Sequence, residues 1–112
     1  MEWKNDDELF HLMRTKLYTA IVGDILDVKG RTHQFLPPQC QALRPDMVVA
    51  GRAMTVLGAD IFEEPDPPFG LMLEALDSLK PNEVYVAAGA SQPYALWGEL
   101  MSTAARARGA AG

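Results

Sequence analysis

Two short apolar segments, each followed by a segment with helical periodicity, constrain the fold of this chain most strongly. Residues 47–57 and 84–88 are apolar on both faces, which is typical of strands buried within a layered sheet. Residues 66–79 place apolar side chains at helical spacing, and residues 96–108 form another helical segment that ends in basic residues. The alternation of strand and helix predicts an α/β domain built in layers.

The part of the chain before the first strand is predicted to be helical and then extended. Asn5 or Asp6 caps a first helix that runs to about Leu17, and Thr19 caps a second helix that runs to Lys29. Gly30 fits the left-handed position that ends the second helix. Three prolines exclude a long helix from the loop that follows, over residues 31–46.

Two of the predicted helices carry apolar stripes, and we expect the stripe of the helix over residues 66–79 to be buried. The helix over residues 66–79 is predicted to begin at Asp66-Pro67-Pro68, where prolines cost no helical hydrogen bond. The stripe residues are Ile21, Ile25 and Val28 in the second helix, and Phe69, Met72, Leu73, Leu76 and Leu79 in the helix over residues 66–79.

Length and composition are those of one folded domain. The chain has 112 residues, of which 48% are apolar and 22% charged. No apolar run approaches the ~18 residues that a membrane-spanning helix needs, and the acidic N-terminus differs from a secretory signal. We therefore expect a single domain over residues 1–112, no membrane partner and a cytoplasmic location, which the lone cysteine, Cys40, also fits.

The charge of the chain is negative and unevenly distributed. The net charge of −5 argues against a nucleic-acid partner. No lysine or arginine lies between Arg52 and Lys80. This acidic stretch is either a solvated surface, a contact for a basic partner, or a set of carboxylates that contact the ligands of a metal ion. Its carboxylates are Asp60, Glu63, Glu64, Asp66, Glu74 and Asp77.

The start of the last predicted helix is the best candidate for a binding site. After the second strand, the small-residue loop over residues 89–93 leads into Trp97-Gly98-Glu99-Leu100-Met101. The free backbone N–H groups of Gly98, Glu99, Leu100 and Met101, at the positive end of the helix dipole, can bind a carboxylate or phosphate. Gly98 allows close approach of a ligand. The alternative is an ordinary helix end that binds only water.

Other residues with metal-binding or nucleophilic side chains give weaker evidence for a functional site. Asp24 and Asp27 lie three residues apart on a helix and are either a pair of metal ligands or a polar helix face. We expect Cys40 to be a buried structural cysteine and not a catalytic thiol. Ser91 lies outside any nucleophile-elbow motif, so a serine hydrolase is not indicated.

Four segments, taken in order, resemble the regulator of ribonuclease activity A family, also called RraA-like. The most specific is Trp97-Gly98-Glu99-Leu100-Met101 with its flanking residues; the segments are 17–27, 49–56, 79–86, and 95–101 with 104–109. The resemblance implies an α/β fold in a layered β/β/α (swivelling-domain-like) sandwich. It also implies assembly as a homotrimer or as a hexamer made of two trimers.

The resemblance also implies an activity. The family includes class II 4-hydroxy-4-methyl-2-oxoglutarate aldolases, which also decarboxylate oxaloacetate and use a divalent metal, Mg²⁺ or Mn²⁺. In those members the helix start that matches Gly98, Glu99, Leu100 and Met101 binds the substrate, a small 2-oxo acid. Two alternatives remain: a protein-binding regulator of an RNA-degrading endonuclease, or a subunit that serves only assembly.

This chain departs from the family pattern at two places. After Gly112 the family continues into a strand and an Arg-Asp pair that supplies the metal ligand and a substrate contact. We therefore expect the domain to be incomplete at its C-terminus, and we assign no catalytic residue and no metal ligand within it. We expect the lyase activity of the full-length protein and not of this segment alone. At residues 86–91 the family commonly has an aspartate followed by glycines, whereas this chain has Val-Ala-Ala-Gly-Ala-Ser.

Overall fold

The computed structural model describes residues 2–91 and 95–112. They form α1 (Asp6–Lys16), α2 (Thr19–Val28), β1 (Arg52–Leu57), α3 (Gly70–Ser78), β2 (Glu83–Ala88) and α4 (Glu99–Ala107). The predicted α/β class is confirmed, as is the order of N-terminal helices followed by alternating strands and helices. Gln92 and Pro93, in the predicted loop after the second strand, lie outside the described residues. The chain forms two compact units, Met1–Ala50 and Gly51–Gly112.

The first unit holds α1, α2 and an extended loop. The Asn5 side chain caps α1 by accepting a 3.0 Å hydrogen bond from the Glu8 amide, as predicted. The N-cap of α2 is Tyr18 and not Thr19, so the predicted cap is wrong by one residue. Gly30, at φ +72°, follows α2 as predicted. Residues 31–46 contain neither helix nor strand.

The apolar stripe of α2 is mostly exposed. Val28 is 89% exposed and Ile25 is 48% exposed, while Ile21 is half-buried. The buried position on α2 is instead Gly23, where an added Cβ would lie 2.3 Å from the Phe35 ring. The absence of a side chain at residue 23 therefore makes room for Phe35.

The second unit is built on a parallel pair of strands. β1 and β2 pair from Arg52 opposite Glu83 to Leu57 opposite Ala88, and α3 lies between them in the chain. β1 begins at Arg52 and not at the predicted residue 47. Its residues alternate between exposed and half-buried over most of their length, so the predicted burial of both strands is also wrong. A parallel strand is buried on both faces only where other elements cover both faces of the sheet.

The last residues of the chain run beside β2. The Ala111 amide donates to Glu83 O at 2.7 Å, and the Tyr85 amide donates to Gly112 O at 2.9 Å. These bonds use the edge of β2 that does not pair with β1, because successive residues of a strand direct their backbone groups to opposite edges.

The core of the second unit is small and lies between α3 and α4. Its buried residues are Leu76, Leu79 and Ala105, and Met54, Tyr85, Met101 and Ala110 pack against them. The predicted stripe is therefore right for Leu76 and Leu79. It is wrong for Phe69 and Leu73, which are 67% and 52% exposed.

Two helices begin later than predicted. α3 begins at Gly70 and not at Asp66, after Phe69 in the left-handed conformation at φ +60°. The Pro67-Pro68 pair explains this, because a residue before proline is disfavoured in the helical region. α4 begins at Glu99 and not at residue 96, and it is followed by the predicted Gly109 at φ +80°.

Candidate functional site

The carboxyl ends of β1 and β2 meet at one edge of the sheet. The Gly58 amide, directly after β1, donates a 2.7 Å hydrogen bond to Ala88 O at the end of β2. Beyond the strands, the Ser91 hydroxyl donates to one Asp60 carboxylate oxygen, and the Ser91 amide donates to the other at 3.4 Å. Ligands of parallel α/β sheets bind at this edge, beyond the strand ends.

Gly89 makes the close approach of the two segments possible. Its φ is +100°, a conformation that side chains disfavour. A Cβ at residue 89 would lie 2.3 Å from Gly58 O and 2.8 Å from a methyl carbon of Leu57. Glycine is therefore required where the chain leaves β2 beside the end of β1.

The helix start predicted as the binding site lies at the beginning of α4. Gly98 is the N-cap residue, with extended backbone at φ −150° and ψ 179°, and no side chain of the described residues caps the helix. The first backbone hydrogen bond of the helix runs from Ser102 N to Gly98 O, at 3.0 Å. Within residues 2–91 and 95–112, the amides of Glu99, Leu100 and Met101 have no acceptor. Three donors at the positive end of a dipole are thus available to an anion.

Trp97 and Ser102 hold this helix start in place. The Ser102 hydroxyl accepts a 2.7 Å hydrogen bond from Trp97 Nε1 and donates a 3.1 Å bond to Gly98 O. The Trp97 ring also packs on Tyr85 of β2, with ring centroids 4.9 Å apart and planes inclined by 55°. These contacts fix the start of α4 against β2 and so orient the free amides before a ligand binds. Ser102 and Tyr85 were not predicted as site residues from the sequence. A serine four residues after the N-cap, able to bond back to its carbonyl, is the local signal for Ser102.

The start of α4 lines a wide groove of about 1650 Å³, which we name the acidic groove. It is larger than the ~300–1000 Å³ of a usual small-molecule pocket. Its walls are the segment after β1, the start of α3 and the start of α4. An added Cβ at Gly98 meets no atom within 4 Å, so the backbone there is open to a ligand. Among the described residues, the lining includes no lysine or arginine and six carboxylates: Asp60, Glu63, Glu64, Asp66, Glu74 and Glu99.

A metal site is not assembled by the part of the chain that the structure describes. No group of three or more histidine, cysteine, aspartate or glutamate side chains is placed to hold a metal ion there. Asp24 and Asp27 are exposed on α2, in the first unit. The described residues therefore include no assembled site for the divalent metal that the resemblance implies.

Cys40 is exposed and free, so the predicted buried structural role is wrong. The prolines around it keep this loop extended, and no helix or strand covers it.

Among the described residues, no helix is long and apolar enough to cross a membrane.

Comparison with known protein families identifies a match over most of the chain. A family model described as RraA-like (Aldolase/RraA) matches residues 19–112. No curated protein and no solved structure matches the chain significantly. The match includes both strands and three of the four helices of the described chain, among them the whole of α4.

Proposed function

Because the chain belongs to the RraA-like family, we propose that it acts as a carbon–carbon lyase on a small 2-oxo acid, whose carboxylate binds at the start of α4. The family description names both aldolase and RraA members. The observation that supports a lyase is the set of free amides of Glu99, Leu100 and Met101 beside the open backbone of Gly98. Such a set binds carboxylates through charge-assisted hydrogen bonds.

The proposed reaction breaks the bond between carbons 3 and 4 of the 2-oxo acid. In oxaloacetate, the electron pair of that bond forms a double bond between carbons 2 and 3 while the π electrons of the keto group move to its oxygen, giving an enolate and carbon dioxide. A proton from water then adds to the enolate carbon and gives pyruvate. Negative charge thus develops next to the carboxylate that the α4 amides hold, where the positive end of the helix dipole stabilises it.

The residues around the helix start serve positioning. Trp97, Ser102 and Tyr85 fix the orientation of the amides before substrate arrives, so little reorganisation accompanies binding. Gly98 has no side chain to block the approach of the carboxylate.

Because the side chains around the start of α4 are acidic, an anion is attracted there mainly by the backbone amides of the helix. The described lining of the acidic groove has no lysine or arginine, and Glu99 itself adds a negative charge at the first position of α4. The backbone donors therefore carry the binding of the substrate carboxylate in this part of the chain. A divalent metal, and assembly as a homotrimer or hexamer, remain part of the proposal on the strength of the family resemblance.

Pyruvate release from oxaloacetate tests the proposal. The protein is assayed with Mg²⁺ and after chelator treatment, each against a protein-free control because oxaloacetate also decarboxylates spontaneously. The proposal expects release above the control with Mg²⁺ and loss of release on chelation. Release no faster than the control under both conditions overturns the lyase, and release that chelation does not change overturns its metal dependence.

A further inference from the structure

The binding partners for a substrate carboxylate are concentrated at one place in the acidic groove. The free amides of Glu99, Leu100 and Met101 lie together at the start of α4. Among the described residues, the rest of the lining holds no lysine or arginine that could bind a second anionic group. The part of a 2-oxo acid that lies beyond its keto group must therefore be accommodated by the other side chains of the groove.

The carboxylates of the groove oppose a second negative charge. Within the described ranges, Glu63, Glu64 and Asp66 line the groove and form no ion pair. The sequence has no lysine or arginine between Arg52 and Lys80, so the segment that supplies these carboxylates has no cation of its own. Like charges repel more strongly as water is displaced from between them, so a substrate with a second carboxylate binds more weakly here.

Large apolar side chains line the same groove. The Leu100 side chain is 86% exposed, and the amide of the same residue is one of the three free donors. Leu96, just before the helix start, and Phe62 and Leu71, from the other two walls, are also exposed. Apolar side chains exposed together in a groove are typical of a surface that an apolar group of a ligand covers. An apolar group of the substrate therefore gains contacts where a charged group is repelled.

We propose that the acidic groove selects 2-oxo acids that carry a single carboxylate and an apolar, uncharged group beyond carbon 3, and that it discriminates against dicarboxylates. This inference rests on the proposed function, because the carboxylate next to the keto group is the one held by the α4 amides. The groove volume of about 1650 Å³ has room for a large apolar group. Oxaloacetate still reports the lyase chemistry, because its second carboxylate leaves as carbon dioxide, but it ranks below acids of the proposed class.

A substrate with one carboxylate leaves behind an aldehyde instead of carbon dioxide. In a 4-hydroxy-2-oxo acid with an apolar group on carbon 4, the hydroxyl proton passes to water and the O–H electron pair forms the aldehyde carbonyl. The electron pair of the bond between carbons 3 and 4 forms a double bond between carbons 2 and 3, while the π electrons of the keto group move to its oxygen. The enolate then takes a proton from water. The products are pyruvate and an apolar aldehyde.

Three 2-oxo acids that the lyase cannot cleave are the probes: pyruvate, 2-oxoglutarate and 5-methyl-2-oxohexanoate. The last two differ only in that an isopropyl group replaces the second carboxylate, which has nearly the same shape. Calorimetry measures their dissociation constants on the whole chain. We expect 5-methyl-2-oxohexanoate to bind at least tenfold tighter than 2-oxoglutarate in low salt. High salt should reduce this ratio, since it screens the repulsion of the second carboxylate and affects the shared carboxylate equally in both ligands.

Two double variants with the same change in net charge test the role of the carboxylates. Glu63→Gln with Glu64→Gln alters the groove, and Asp24→Asn with Asp27→Asn alters exposed residues of the first unit. The groove variant should bind 2-oxoglutarate at least threefold tighter, because two repulsive charges are removed, and should change the binding of 5-methyl-2-oxohexanoate by less than about twofold. The control variant should change the binding of either ligand by less than about twofold.

Leu100→Ser tests the apolar part of the groove, because it keeps the amide of residue 100 and removes the exposed side chain. It should weaken the binding of 5-methyl-2-oxohexanoate severalfold and change that of pyruvate by less than about twofold. Leu43→Ser is the matched control, since Leu43 is 92% exposed and lies in the first unit. It should leave both dissociation constants unchanged.

The inference is overturned if 2-oxoglutarate binds as tightly as 5-methyl-2-oxohexanoate, or if both double variants change its binding equally. It is also overturned if Leu100→Ser and Leu43→Ser have the same effect. Pyruvate separates this failure from failure of the proposed function, because it carries only the head group that all three acids share. If pyruvate binds, the proposed carboxylate site stands whatever the order of the other two. If none of the three binds, the proposed site is overturned and this inference with it.

Discussion

Replacing Glu99 with proline removes one proposed donor of the anion site while the helix stays intact. Glu99 is the first residue of α4, where proline is well tolerated because the N–H has no helical partner. The residue before a proline prefers extended backbone, and Gly98 already has φ −150° and ψ 179°. The substitution therefore deletes one N–H group with little backbone strain.

The expected effect follows from the strength of that single bond. A hydrogen bond to a charged group contributes about 1.5–3 kcal/mol, which is roughly a 10-fold to 150-fold change in affinity. Glu99→Ala is the matched control, since it removes the same carboxylate and keeps the amide. The ratio of the two dissociation constants for pyruvate, measured by calorimetry or by nuclear magnetic resonance, isolates the donor.

The same pair of variants can refute the reasoning. Circular dichroism and urea unfolding should show that both variants keep the helix and differ little in stability. The dissociation constant should rise at least tenfold from Glu99→Ala to Glu99→Pro. Equal constants in two folded variants would show that the amide of residue 99 does not bind the carboxylate.

Four further substitutions, one of them a control, test the framework of the site. Leu76→Ala should lower the free energy of unfolding by about 2–5 kcal/mol in urea titrations, because Leu76 is only 4% exposed. The control Leu71→Ala should change that free energy by about 0.5 kcal/mol or less, since Leu71 is exposed. Equal effects of the two variants would refute the assigned core. Gly89→Ala should cost about 1–3 kcal/mol from its positive φ alone, and an unchanged melting temperature would contradict the close approach to Gly58. Ser102→Ala should cost about 1 kcal/mol and shift the indole N–H resonance of Trp97, and an unmoved resonance would contradict their hydrogen bond.

Features set by local chemistry were predictable from the sequence. The cap at Asn5 and the glycine stops at Gly30 and Gly109 depend on one residue and its immediate neighbours, and all three are found. The α/β class follows from the periodicity of the segments. The start of α3 was missed because helical spacing was extended through Pro67-Pro68, where the backbone cannot follow it.

Burial was predicted less well, because periodicity identifies the apolar face of an element and not what covers it. Val28 and Phe69 follow their stripes in sequence and are exposed in the structure, whereas Leu76 is buried against α4. In the site, too, local features were predictable from the sequence and contacts between distant segments were not. The helix start at Gly98 was predicted from its own segment, but the pairing of Asp60 with Ser91 depends on the register of two strands far apart in sequence.

The central claim is that the first amides of α4 bind the carboxylate of a 2-oxo acid. A titration of the ¹⁵N-labelled protein with pyruvate, followed by ¹H–¹⁵N correlation spectra, tests it most directly. The start of α2 is an internal control, because it also lacks a side-chain cap. We predict that the amide resonances of Glu99, Leu100 and Met101 shift together and saturate with one dissociation constant, while those at the start of α2 stay in place. Shifts of equal size at both helix starts, or no shift at the start of α4, would contradict the account.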